Sequence, residues 1–108
     1  MTEANIMVQV DQMTLITKIF ATGDSVKNDR TPSTALIHLF TEVGELAQEV
    51  QIAAGDSYKD AGEDGVIGEA IDVILCAVDI IRQLHPNCTE AELIVIAENK
   101  LTKWKQTA

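Results

Sequence analysis

The run "IGEAIDVILCAVDII", Ile67 to Ile81, leaves few folds open to this chain. Wound as a helix it is apolar on most of its circumference, which suits a central helix covered by other helices, not a surface one. It is expected to begin between Asp64 and Val66 and to reach about Leu84. Pro86 then forbids continuation, and "HPNC" reads as a turn. The same run carries Glu69, Asp72 and Asp79, acids that a buried helix has little polar surface to accommodate.

The rest of the chain is punctuated as helices. A first helix is expected from about Asp11 to Thr22, with Leu15, Ile16, Ile19 and Phe20 on one face and Gly23 as its stop. A second starts at Thr31, an N-cap residue followed by Pro32 at the first helical position, where a missing N–H removes no bond. It should run to about Ala54 and end at Gly55, and "GDSYKDAGEDG" follows as a loop. A last helix opens on a capping box, Thr89 with Glu92, and runs to about Gln106. Strand signals are confined to "IMVQV", Ile6 to Val10, a short strand or a ragged helix start. The expected class is all-α, a four-helix bundle-like single domain over residues 1–108. An apolar fraction of 46% supplies one core, and a chain this short gains from oligomerisation.

Charge narrows the partners. With 17 acids against 8 Lys and Arg, the net charge of −9 argues against a nucleic-acid polymer, which needs a basic face. Cys76 and Cys88 have neither disulfide-framework nor zinc spacing and are expected as free thiols in a reducing compartment. The N-terminus lacks a signal pattern, and no apolar stretch is long enough to span a membrane, so the cytoplasm is the expected location.

The acids have their own geometry. At about 100° per residue, with Glu42 at zero, Glu45 falls near 300°, Glu49 near 340° and His38 near 320°. The apolar set Leu36, Leu39, Phe40, Val43, Leu46, Ala47 and Val50 covers roughly 40° to 160°. With Glu69 at zero, Asp72 lies near 300°, Cys76 near 340° and Asp79 near 280°, at about 100° per residue again. On the second helix such a stripe is ordinarily a solvated face, and Glu49 is expected to be solvated. On the third helix that account is weaker. Two carboxylate strips face to face repel in a low dielectric, and a cation between them removes the conflict. Oxygen donors without Cys or paired His suit Mg²⁺ or Mn²⁺. A di-iron bundle wants Glu-x-x-His pairs on two helices, and His38 precedes Glu42 in the wrong order and spacing.

"EVGEL" (Glu42 to Leu46), 23 residues after Glu45, then "EAID" (Glu69 to Asp72), resembles the Glu-x-x-Glu … Glu-x-x-Asp signature of the MazG-like, all-α nucleoside triphosphate pyrophosphohydrolases. "RTPSTAL" (Arg30 to Leu36) is similar to the Thr-Pro start of the first metal helix in the branch near the dCTP pyrophosphatases. The resemblance covers about Thr31 to the C-terminus. It implies a MazG-type fold completed by dimerisation, either a homodimer or a tetramer as a dimer of dimers. It also implies Mg²⁺-dependent cleavage of a (deoxy)nucleoside triphosphate between the α and β phosphates, in nucleotide house-cleaning or dNTP pool control. The metal ligands carry over to Glu42, Glu45, Glu69 and Asp72. Glu42 or Glu45 would act on the attacking water. Many relatives have a further Glu just before the first motif, where this chain has Thr41.

Substrate contacts are expected on the last helix. The family often places a basic or amide residue there against the phosphates, which makes Lys100, Asn99 and Lys103 candidates. Lys100 shares a stripe with Leu93, Ala97 and Trp104, so it either snorkels to solvent or points at anions. Phe20 and Trp104 are candidates for the base pocket, against a core role for each, and Phe40 reads as core. His38 is a candidate substrate contact, against a surface or interface histidine. Asp79 needs a cation, from the last helix or another subunit. The alternative reading is a non-enzymatic helical interaction module with a solvated acidic face.

Overall fold

In a computed structural model, the structure describes residues 14–26 and 30–107. These form four helices and no strand: α1 Leu15–Ser25, α2 Pro32–Ala53, α3 Gly65–Leu84 and α4 Glu90–Thr107. The segment Ile6 to Val10 and the expected helix start at Asp11 lie outside the described residues.

Local chemistry explains most boundaries. Thr31 caps α2: its Oγ1 accepts from the Thr34 N–H at 3.2 Å, and the Thr34 hydroxyl accepts from the Thr31 N–H at 2.9 Å. Pro32 opens the helix. Gly55 follows α2 at φ +80°, a left-handed conformation that a side chain would strain. Thr89 Oγ1 accepts from the Glu92 N–H at 3.2 Å at the start of α4.

Gly23 corrects the sequence reading. It lies inside α1, which continues to Ser25, and does not end it. A β-carbon at Gly23 would run into the guanidinium of Arg82, so the glycine serves a close approach of α1 to α3.

α2 and α3 pack along their lengths, and α1 packs on α3. The α2–α3 pairing is antiparallel, since its contacts run in opposite order along the two helices. Arg30, just before α2, meets Asp79; Glu42 meets Asp72 and Glu69; and Glu49, near the end of α2, meets Gly62 before α3. Glu49 is a second correction. It is not solvated but only 9% exposed, and its Oε1 accepts the Gly62 N–H at 2.7 Å, latching the α2–α3 loop to the hairpin.

α4 is only loosely attached to the other helices, and at its start Glu90 Oε2 accepts from the Thr17 hydroxyl at 2.6 Å. No residue of α4 is buried. Several large apolar side chains of the hairpin and of α4 face outward, among them Ile37 (66% exposed), Phe40 (67%), Ile67 (80%) and Trp104 (69%). α3 is therefore central between α1 and α2 but leaves part of its apolar surface uncovered in one chain. No described helix is long and apolar enough to cross a membrane.

Candidate metal centre

The antiparallel hairpin brings the two sequence motifs together. One carboxylate oxygen from each of Glu42, Glu69 and Asp72 lies within 4.8 Å of the other two. Glu42 comes from mid-α2; Glu69 and Asp72 lie three apart on α3, on one helix face. All three are half-buried.

Two oxygens in this group are buried without a hydrogen-bond partner, Glu42 Oε2 and Glu69 Oε2. A buried acceptor normally has a partner, and leaving one unmade is costly. The other oxygen of Glu42 is engaged by His38 Nε2 at 3.0 Å, one turn earlier on α2. That contact fixes the Glu42 side chain and aims Oε2 inward.

Electrostatics tell the same story. The Glu69 carboxyl is pushed above its ordinary range by burial first, then by the charges of Glu45, Asp72 and Glu42, and by a hydrogen bond with Glu45. Glu45 thus stands beside Glu69 although it is outside the tight group of three. The Cys76 thiol, one turn past Asp72, is also pushed up. Burial is the main cause, followed by Glu42, Asp72 and Asp79, while Arg30 pulls it back. A cluster that raises the proton affinity of Glu69 is one that a divalent cation would relieve. The donor set is all-oxygen, and two of its three residues carry an orphaned acceptor. Mg²⁺ or Mn²⁺ fits it.

A cavity of about 420 Å³ opens beside the acids. Glu42, Asp72 and Asp79 stand on its wall, α1 contributes Leu15 and Ile19, and α3 contributes Leu75 and Cys76. Its size falls in the usual range for small-molecule sites, about 300–1,000 Å³.

Comparison with known protein families, with curated proteins and with solved structures finds no match. The functional reading therefore stands on the geometry of this site and on the two motifs.

Of the expected metal ligands, Glu42, Glu69 and Asp72 converge, and Glu45 adjoins them through Glu69. Of the expected substrate contacts, His38 lies on the cavity wall. Phe20 does not; it lines a small recess with Cys88, Glu90 and Leu93. Asn99, Lys100, Lys103 and Trp104 are exposed on α4, and none of them lines the cavity in the same chain. Asp79 finds its cations within its own chain and outside α4. Arg82 Nη2 and Nε donate to its Oδ1 at 2.8 and 3.1 Å, and Arg30 Nη1 and Gln83 Nε2 reach its Oδ2 at 3.1 and 3.0 Å.

Lys18 and Arg30 also line the cavity, and sequence reasoning missed both as site residues. Lys18 sits in an ordinary amphipathic pattern. A signal for Arg30 was present: Asp79 lies two turns past Asp72, so antiparallel pairing places it opposite the start of α2.

Proposed function

We propose that this protein is a Mg²⁺-dependent nucleoside triphosphate pyrophosphohydrolase, releasing the nucleoside monophosphate and pyrophosphate. The observation that carries the reading is the pair of buried, partnerless oxygens, Glu42 Oε2 and Glu69 Oε2, in a three-carboxylate group built from both motifs. Solvated acids of an interaction module would not leave acceptors orphaned away from water.

Glu42, Glu69 and Asp72 would hold the metal. Bound there, Mg²⁺ supplies polarisation of a phosphoryl oxygen and a lowered pKa for water. The chain's own residues do the rest. His38 orients Glu42 through the 3.0 Å contact, and the α2–α3 hairpin fixes the three carboxylates before substrate arrives. Glu45, beside Glu69 but outside the tightest part of the group, would accept a proton from the attacking water. The aliphatic wall of Leu15, Ile19 and Leu75 gives the nucleoside a dry surface.

The test is product analysis. Incubation with a panel of NTPs and dNTPs plus Mg²⁺, resolved by ion exchange, should yield monophosphate and pyrophosphate. Diphosphate and orthophosphate would contradict the bond assignment, and no turnover of any triphosphate would overturn the enzyme reading.

A homodimer belongs to the same proposal. The outward apolar side chains of α2, α3 and α4 need cover, and a second copy would bring an α4, with Lys100, Lys103 and Trp104, against the hairpin. Light scattering should give twice the 11.7 kDa chain mass, or a multiple of that dimer. A single-chain mass at micromolar concentration would contradict it.

A further inference from the structure

A polyphosphate brings several charges of the same sign as the carboxylates that hold the metal, so a cation of the chain is needed for the part of it that the metal does not meet. Lys18 and Arg30 are the Lys and Arg side chains on the cavity wall among the described residues, and α4 contributes none there. They differ in what already holds them. Arg30 is tied to Asp79 Oδ2 at 3.1 Å, and Asp79 is only 6% exposed, so that ion pair belongs to the fold. Lys18 makes no ion pair among the described residues.

α1 sets the place of Lys18. Leu15, Ile19, Thr22 and Val26 follow one another at intervals of three or four residues, share one face of α1 and line the cavity. Lys18 falls on that face, three residues after Leu15 and four before Thr22, and lines the cavity with them. An ammonium with three donors and no acceptor thus stands among aliphatic side chains. Glu42 and Asp72 line the same cavity from α2 and α3. Neither comes within the 4.0 Å of Lys18 that would make an ion pair. Ammonium and carboxylates therefore share a space of about 420 Å³ without meeting. A ligand that serves both must carry negative oxygens at two points, one toward a metal on the acids and one toward the ammonium. A phosphate chain has that form.

We propose that Lys18 binds one phosphate group of the substrate while the metal centre engages another, an assignment that rests on the polyphosphate reading of that centre. The bond is a charge-assisted N–H···O contact. A flexible four-carbon stem lets the ammonium follow the phosphate chain and does not impose a fixed fork on it.

The test is calorimetric titration of inorganic tripolyphosphate, with Mg²⁺, into the full chain and into Lys18→Met, Lys18→Arg and Glu69→Gln. Lys18 is exposed and without an ion pair, and Met and Arg match it in helix preference, so neither Lys18 variant disturbs the fold. Lys18→Met should weaken tripolyphosphate binding about tenfold, the loss of one hydrogen bond to a charged group. Lys18→Arg keeps the charge and should bind close to the wild type. Mn²⁺ affinity measured without the anion should not fall in either Lys18 variant. Tripolyphosphate binding that is lost in Glu69→Gln but full in Lys18→Met would overturn the role of Lys18 and leave the metal-centre reading standing. A loss as large in Lys18→Arg as in Lys18→Met would also overturn it, since the charge would not be what acts. So would a fall in Mn²⁺ affinity in Lys18→Met, since the effect would then run through the metal. A wild-type chain that binds Mg²⁺ but no tripolyphosphate would overturn the polyphosphate reading and the role of Lys18 with it.

Discussion

Glu69→Gln should abolish triphosphate turnover and lower divalent-cation affinity by about 100-fold or more. The change removes one of three converging carboxylates, and one of the two whose Oε2 is buried without a partner. The same substitution should make the metal-free fold more stable at neutral pH. Glu69 has its folded pKa raised by burial and by Glu45, Asp72 and Glu42. A raised folded pKa means stability that is fully present below the unfolded value and lost as pH rises through the folded one. Ionising Glu69 in the metal-free wild type therefore costs stability as the pH rises above the ordinary carboxylate range. Thermal melts without metal should show Glu69→Gln above wild type at pH 7, with the gap closing as the pH falls toward the ordinary carboxylate range. Adding Mg²⁺ should raise the wild type and leave the variant where it was. A variant that melts with the wild type at every pH and still turns over substrate would contradict the site.

The second large effect is structural. Asp79→Ala should destabilise the fold by about 3 kcal/mol, because it removes the buried carboxylate on which Arg82, Arg30 and Gln83 converge. The side chain of Arg82 is only 17% exposed and donates twice to Asp79, and Arg30 and Gln83 reach the same carboxylate. For a domain of this size that loss lowers the melting temperature by roughly 12–24 °C. Asp79→Asn, which keeps an acceptor of the same shape, should lose less. The melts must be compared at one chain concentration, since an oligomer's stability depends on it. A change within about 1 kcal/mol for Asp79→Ala would mean the ion-pair set is no better than an exposed one.

Sequence logic reached those parts of the fold that local chemistry decides. Thr31, Pro32 and Gly55 bound α2, and Thr89 caps α4, because caps and stops act within one turn. The two motifs converge because acids three apart share a helix face and a hairpin sets two such faces together. Gly23 looked like a stop, since a glycine placed for close approach to Arg82 has the same local signature as a C-terminal one. Glu49 looked like a solvated acid, and Asp79 like an acid on a buried helix in need of a cation from the last helix or another subunit. Their partners, Gly62, Arg30, Arg82 and Gln83, follow from the α2–α3 register and from side-chain reach. α4 shows the other limit. Its amphipathic pattern says that one side wants cover, while in one chain that side meets solvent with Trp104 69% exposed.

Mn²⁺ titration of the metal-free wild-type chain, followed by the loss of the free-ion electron paramagnetic resonance signal, tests the central claim most directly. Saturable binding, competed by Mg²⁺, is the expected result, with Glu42, Glu69 and Asp72 each required. A free-ion signal undiminished by the protein would contradict it, and the buried oxygens of Glu42 and Glu69 would then need another partner.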